Sequence, residues 1–235
     1  MVAANNSCDA PAGLRGFPVR EIVEQGRAQE TCFRSEKSYN GGILMIKRSI
    51  VCTVVMMIAL AFYAPTRAAD QPPAVGGQLP DMKIAVPGSF SEKSYLGLFG
   101  FGSFSIPQIK AKVVIVEIFS MYCPYCQNEA PKVNQLYMKI QQNPALKDKI
   151  KMIGIGVGNS SYEVGLFRTR YSVPFPLFAD GNYVIHKQVG EVRTPYFIGV
   201  KLNPDGSHQI FYSKLGAFES ADQFLATVIK LSGLQ

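Results

Sequence analysis

Hydrophobic and polar positions divide the chain after residue 77 into a run of strands and helices. Val113–Phe119 is almost continuously apolar and β-branched, which predicts a central strand buried on both faces. The run leads into Cys123-Pro-Tyr-Cys126 and then a helical stretch to about Gln142, where Val133, Leu136, Tyr137 and Ile140 recur at helical spacing. Ile150–Val157 predicts the next strand, followed by a polar loop at Asn159-Ser160-Ser161 and a helix over Tyr162–Tyr171. Phe175–Asp180 reads as irregular, and a short helix around Tyr183–Val189 precedes Pro195. Tyr196–Leu202 and Gln209–Leu215 form a hairpin over the turn Asn203-Pro-Asp-Gly206, and Glu219–Leu231 closes the chain as an amphipathic helix. Leu96–Phe104, with Gly97, Gly100 and Gly102 among Leu and Phe, reads as a hairpin packed on the core, or as a partner-binding lip near the active site. The pattern is that of one mixed-sheet α/β domain over residues 77–235.

The amino end has a different pattern. Met45-Ile46-Lys47-Arg48 is a short basic segment, Ile50–Ala64 runs 15 residues without a charge, and Thr66-Arg67-Ala68 offers small residues for a signal peptidase. That layout over residues 45–69 predicts a secretory signal peptide, with an uncleaved membrane anchor as the alternative. The apolar run is short beside the roughly 20 residues of a spanning helix. Residues 1–44 lack hydrophobic periodicity and read as a disordered or mis-started extension, the alternative being a genuine cytoplasmic tail. Residues 70–76, with Pro-Pro and Gly-Gly, read as a linker. Either reading of the apolar run puts the folded part outside the cytoplasm, in a periplasmic setting.

Charge adds little. The formal net charge is +7, yet from Asp70 onward 16 Lys+Arg face 12 Asp+Glu with no basic block, so a nucleic-acid partner is not expected. Lys147, Lys149 and Lys151 read as a wet face, and His186 and His208 as solvated surface residues. The cysteines change the picture more. Of five, only Cys123 and Cys126 lie beyond Asp70, which excludes a four-cysteine zinc site in the folded part.

A C-x-x-C at a strand-to-helix junction has a specific use. Cys123 would sit at the helix amino end, where unpaired N–H groups and the macrodipole favour its thiolate. Cys126, one turn on, lies close enough to attack a mixed disulfide on Cys123 and release the product. Pro124 just inside the helix costs no hydrogen bond the helix would otherwise make. A static disulfide or half a metal site is the bland alternative, and redox catalysis is the stronger reading.

At this point the sequence resembles the thioredoxin superfamily. Pro131, five residues beyond Cys126, stands where the family kinks its active-site helix. Thr194-Pro195, opening a late strand, is similar to the cis-proline loop, and Glu117, six residues before Cys123, occupies the place of the buried acid. The resemblance implies a thioredoxin-like three-layer sandwich around a central mixed β-sheet. It implies that Thr194 can pair with an extended substrate and that Glu117 can take a proton from Cys126. Pro124 and Tyr125 would help set the potential of the couple.

Within the superfamily, the Tyr162–Asp180 insertion ahead of Thr194-Pro195 resembles the redoxin group of TlpA-like reductases and AhpC/TSA-related peroxiredoxins. Val116 replaces the proline of the peroxidatic motif, and the C-x-x-C spacing departs from that of copper chaperones. The resemblance therefore implies an exported thiol–disulfide oxidoreductase, probed against a thiol peroxidase and a non-catalytic module stapled by Cys123–Cys126. No cofactor beyond the redox-active cysteine pair is expected. The expected partners are protein thiols or disulfides and an upstream dithiol donor, which a membrane protein could supply. Membrane contact is expected only through the N-terminal segment if it stays uncleaved.

Overall fold

The computed structural model describes residues 71–234, so the readings for residues 1–44 and 45–69 lie outside the described residues. Its elements, in chain order, are β1 (Ile84–Ala85), α1 (Phe90–Leu96), β2 (Ser103–Phe104), a 3-10 turn (Ile106–Gln108), β3 (Val113–Phe119), α2 (Pro124–Gln142), β4 (Ile150–Val157), α3 (Ser161–Tyr171), β5 (Leu177–Asp180), α4 (Val184–Gln188), β6 (Tyr196–Leu202), β7 (His208–Leu215) and α5 (Ala221–Ser232). The main sheet has five strands in the order β5-β4-β3-β6-β7. β3, β4 and β5 run parallel, while β6 and β7 pair antiparallel beside β3. This is the mixed thioredoxin-like sandwich.

Burial explains the pattern. Every residue of β3 and β4 is buried, as continuous apolar strands covered on both faces should be. Alternate side chains of β3 serve different cores. Val114, Val116 and Ile118 pack with Ile84, Leu96, Phe104, Ile185 and Val189 on one face. Ile115 and Phe119 pack with Ala130, Val133, Leu136 and Ile140 of α2 and with Phe224 and Val228 of α5 on the other. Gly156 of β4 is glycine because a Cβ there would stand 2.8 Å from Val164 of α3 and 3.2 Å from the Phe119 ring.

Two readings need correction. Phe175–Asp180 is not irregular: Leu177–Asp180 pairs with Gly154–Val157 as an edge strand. Pro174 and Pro176 hide it, yet an edge strand needs no outward ladder donor, and the Pro176 carbonyl accepts the Gly154 N–H. Leu96–Phe104 is not a hairpin. Leu96 ends α1, Gly97 caps it in the left-handed region at φ 68°, and Ser103–Phe104 pairs with Ile84–Ala85 instead. Where the segment read as a linker meets the domain, the Gly76 N–H donates to the Ile210 carbonyl and the Ile210 N–H to the Gly77 carbonyl.

α5 closes the second core through an aromatic cluster. The Phe224 ring lies 4.6 Å from Phe218, 5.1 Å from Tyr212 and 5.6 Å from Phe197, centroid to centroid. Phe224→Ala is expected to cost about 3–5 kcal/mol. A denaturant titration checks this, and a loss below about 1 kcal/mol would mean that α5 does not close the core.

Candidate active site

β3 delivers the chain to the top of the sheet, and α2 begins there. Cys123 is the N-cap of α2, with extended backbone at φ −82° and ψ 113°, and Pro124 opens the helix. Cys123 is partly exposed and Cys126 is buried, and both are free thiols. The loop before them is clamped from two sides. Met121 N–H donates to Asn159 Oδ1 at 2.8 Å, and Gln127 Nε2 donates to the Met121 carbonyl at 2.7 Å. The Tyr122 hydroxyl donates to Glu163, whose other carboxylate oxygen accepts the Ser160 N–H at the start of α3.

The Thr194–Pro195 peptide is cis. It opens β6, antiparallel to β3, so it arrives at the same end of the sheet as the dithiol. The Cys123 thiol donates to the Thr194 carbonyl at 3.3 Å. Tyr125 stands out from the helix, 74% exposed, so that its side chain borders the dithiol without covering it.

The two sulfurs have opposite acidities. Burial works against the Cys123 thiolate. Hydrogen bonds from the side chains of Thr194 and Cys126 and from the backbone of Cys126 and Tyr125 outweigh it and hold the thiol below its ordinary range. Burial pushes the Cys126 thiol well above that range. The Ser120 backbone opposes this, and Cys123 adds to it. The thiolate is thus favoured at the accessible sulfur and the thiol at the buried one.

Glu117 is 4% exposed. On β3 it points the same way as Ile115 and Phe119, into the layer that holds Cys126. Burial first, then the charge of Glu129, pushes its carboxyl up to about 8. Glu129 went unnoticed in the sequence. It is 2% exposed on α2, one turn beyond Cys126, where it accepts the Phe218 N–H at 3.0 Å and pairs with Lys132 at 2.8 Å. The available signal was its place on the same helical face as Cys126, Ala130 and Val133. Asn159 was seen only as part of a polar loop.

The histidines are not the solvated residues expected. His186 is half-buried, its Nε2 2.9 Å from the Val192 carbonyl, and His208 Nε2 lies 3.1 Å from the Leu79 carbonyl. Neither sits at the dithiol. Among the described residues no group of His, Cys, Asp and Glu is arranged to hold a metal ion.

The model of the AhpC/TSA family matches residues 75–211. Comparison with curated proteins finds no match. Among solved structures, a protein of Chlorobium tepidum provisionally named thiol:disulfide interchange protein DsbE is 14% identical, covering 68% of this chain and 99% of that one at a TM-score of 0.51. A protein of Bacteroides thetaiotaomicron provisionally named a protein disulfide isomerase is 18% identical, covering 68% of this chain and 89% of that one at a TM-score of 0.50. A secreted disulfide oxidoreductase of Mycobacterium tuberculosis is 19% identical, covering 55% and 90% at a TM-score of 0.44. At these identities the structural likeness concerns the fold. Together with the family match over most of the described domain, it identifies the chain as a thioredoxin-like oxidoreductase belonging to the AhpC/TSA family.

Proposed function

We propose that the chain is an exported, TlpA-like reductase of protein disulfides that works by dithiol exchange at Cys123-Pro-Tyr-Cys126. The observation that carries this is the asymmetry of the two thiols at the head of α2, one accessible and acidified, the other buried and held protonated. The Cys123 thiolate attacks one sulfur of a substrate disulfide, forming a mixed disulfide and expelling the other sulfur as thiolate. Cys126 then attacks the Cys123 sulfur, its proton passing to the ionised fraction of Glu117, and the second substrate thiolate leaves. Two electrons pass from the dithiol to the substrate, and a dithiol donor restores the pair.

Thr194 supports this reading through its carbonyl beside Cys123, where an extended substrate can align along the start of β6. The extracytoplasmic setting rests on the sequence of Met45–Ala68. Reduced protein is expected to cleave insulin disulfides, followed as precipitation of the freed chains. Cys123→Ser should abolish this, and Cys126→Ser should accumulate a mixed disulfide visible on a non-reducing gel. Equal turnover by the Cys123→Ser protein would overturn the assignment. Peroxide consumption coupled to a dithiol, with no insulin cleavage, would replace it by a thiol peroxidase.

Glu117 adds a pH signature. In the fold its carboxyl keeps its proton up to about pH 8, whereas in the unfolded chain it loses it near 4.5. Over that window the native state binds more protons than the unfolded chain, so stability falls as pH rises between the two values. Glu117→Gln keeps the volume and removes the titration. The variant is expected to show a flatter stability profile over this window and equal or greater stability at neutral pH. In single-turnover kinetics its release step should slow about 10²-fold near neutral pH while the first attack changes little. Unchanged release together with lost stability would make Glu117 a structural residue.

A further inference from the structure

The end of the domain opposite the dithiol carries a second surface feature. Between α1 and β2 the chain turns Phe99 and Phe101 outward, 93% and 95% exposed, and Phe90 at the start of α1 is 84% exposed. With Gly97, Leu98 and Lys110 these rings line one open cleft of about 430 Å³. Isolated exposed apolar side chains are ordinary, but three phenylalanines around one cleft are a patch.

The loop that presents them is built, not frayed. The Lys110 N–H donates to the Leu96 carbonyl at 2.9 Å, and Lys93 Nζ donates to the Gly100 carbonyl at 2.9 Å while standing 4.4 Å from the Phe101 ring centroid. A Cβ on Gly97 would stand 2.4 Å from that of Lys110, so the approach requires glycine. The rings are therefore held outward at a fixed place.

Two lysines, Lys93 and Lys110, line the cleft with them, and further lysines stand on the segments that enter β3 and β4. Lys110 and Lys112 are exposed on the segment leading into β3, and Lys147 is exposed on the segment leading into β4. These segments are joined, since the Lys112 N–H donates to the Lys149 carbonyl at 2.8 Å. Lys151 is buried, not on the wet face expected of it: it donates to the Lys147 carbonyl and lies 4.6 Å from the Tyr95 ring of α1, which ties the lysine segment to α1. The nearby carboxylates are few. Asp148 faces Lys151 at 3.9 Å, and Glu92 is engaged by Arg168. β3 and β4 are parallel, so this end is separated from Cys123 by the length of β3, about 20 Å.

From this juxtaposition we propose that the Phe90–Phe99–Phe101 patch and its lysines seat the domain on an anionic bilayer surface, with the dithiol turned away from the lipid. The charge complements anionic headgroups, and the rings are of a size to enter the interface beneath them. No helix among the described residues is long and apolar enough to cross a membrane, and the proposed contact is interfacial. It adds a second membrane contact to the one expected of the N-terminal segment, and it does not depend on the dithiol chemistry.

The chain contains no tryptophan, which makes a local reporter available. Full-length Phe99→Trp and Phe101→Trp proteins are mixed with vesicles of phosphatidylcholine alone or of phosphatidylcholine with phosphatidylglycerol. The expected result is a blue-shifted emission, quenched by brominated acyl chains, with the anionic vesicles and much weaker with the neutral ones. Tyr162→Trp, on an exposed position at the dithiol end, should stay in water. Adding Lys110→Ala and Lys112→Ala to the Phe99→Trp protein should weaken the response about tenfold or more, since each lysine near an anionic leaflet is worth about a fivefold gain.

The local reading is essential because Ile50–Ala64 can bring the chain to either vesicle by itself. A tryptophan at position 99 or 101 that stays in water while the protein is vesicle-bound overturns the proposal. So does a shift that depends on protein concentration without vesicles, which would mean a second copy. A shift produced by an oligonucleotide and not by lipid would assign the patch to nucleic acid and overturn it as well.

Discussion

Two carboxyl groups occupy the apolar layer between β3 and α2, and they cannot both be ionised cheaply. Glu129 has the better partners. Lys132 pairs with one of its oxygens at 2.8 Å, and the Phe218 N–H donates to the other at 3.0 Å. At Glu117, burial together with the Glu129 charge leaves the carboxyl protonated to about pH 8. The same arrangement connects α2 to the segment before α5, because Lys132 also donates to the Phe218 carbonyl at 2.8 Å. The electrostatic setting behind the dithiol and the packing of the last helix thus rest on one group of side chains.

The two thiols of the pair stand in different surroundings. Cys123 is stabilised as a thiolate by hydrogen bonds at the helix head, while Cys126, on the inward face of the same turn, meets a dry layer. A carboxyl titrating near the working pH can accept a proton in one step and return it in the next, which a carboxylate in water could not do as well. The clamp on Met121 from Asn159 and Gln127 holds the strand-to-helix junction and so fixes where Cys123 stands relative to Thr194.

The domain is polar along its strands. At the carboxyl ends of β3 and β4 lie the cysteines, the cis peptide and exposed tyrosines, and at the opposite ends lie phenylalanines and lysines. Parallel pairing of β3 with β4 produces this separation. All the segments that enter these strands gather at one end, and all those that leave them gather at the other.

Much of this was legible from local pattern. β3 and β4 matched their predicted limits because strands buried on both faces are unbroken apolar runs bounded by polar turns. α2 was legible from its spacing, and the cysteine pair from its position between a strand and a helix. β5 was not, because four residues flanked by prolines carry too little pattern to tell a strand from a loop. Leu96–Phe104 misled because apolar residues separated by glycines look like core, whereas Phe99 and Phe101 face water. The surroundings of His208 and Glu129 depend on distant segments, Leu79 being 129 residues from His208 and Phe218 being 89 residues from Glu129. The sequence by itself determined the order of elements and the redox-capable pair, since periodicity and the C-x-x-C turn act over a few residues. Only the tertiary structure decided which carboxyl stays protonated, which thiol is exposed and which end gathers the lysines. Burial and Coulomb attraction depend on distances between segments far apart in the chain.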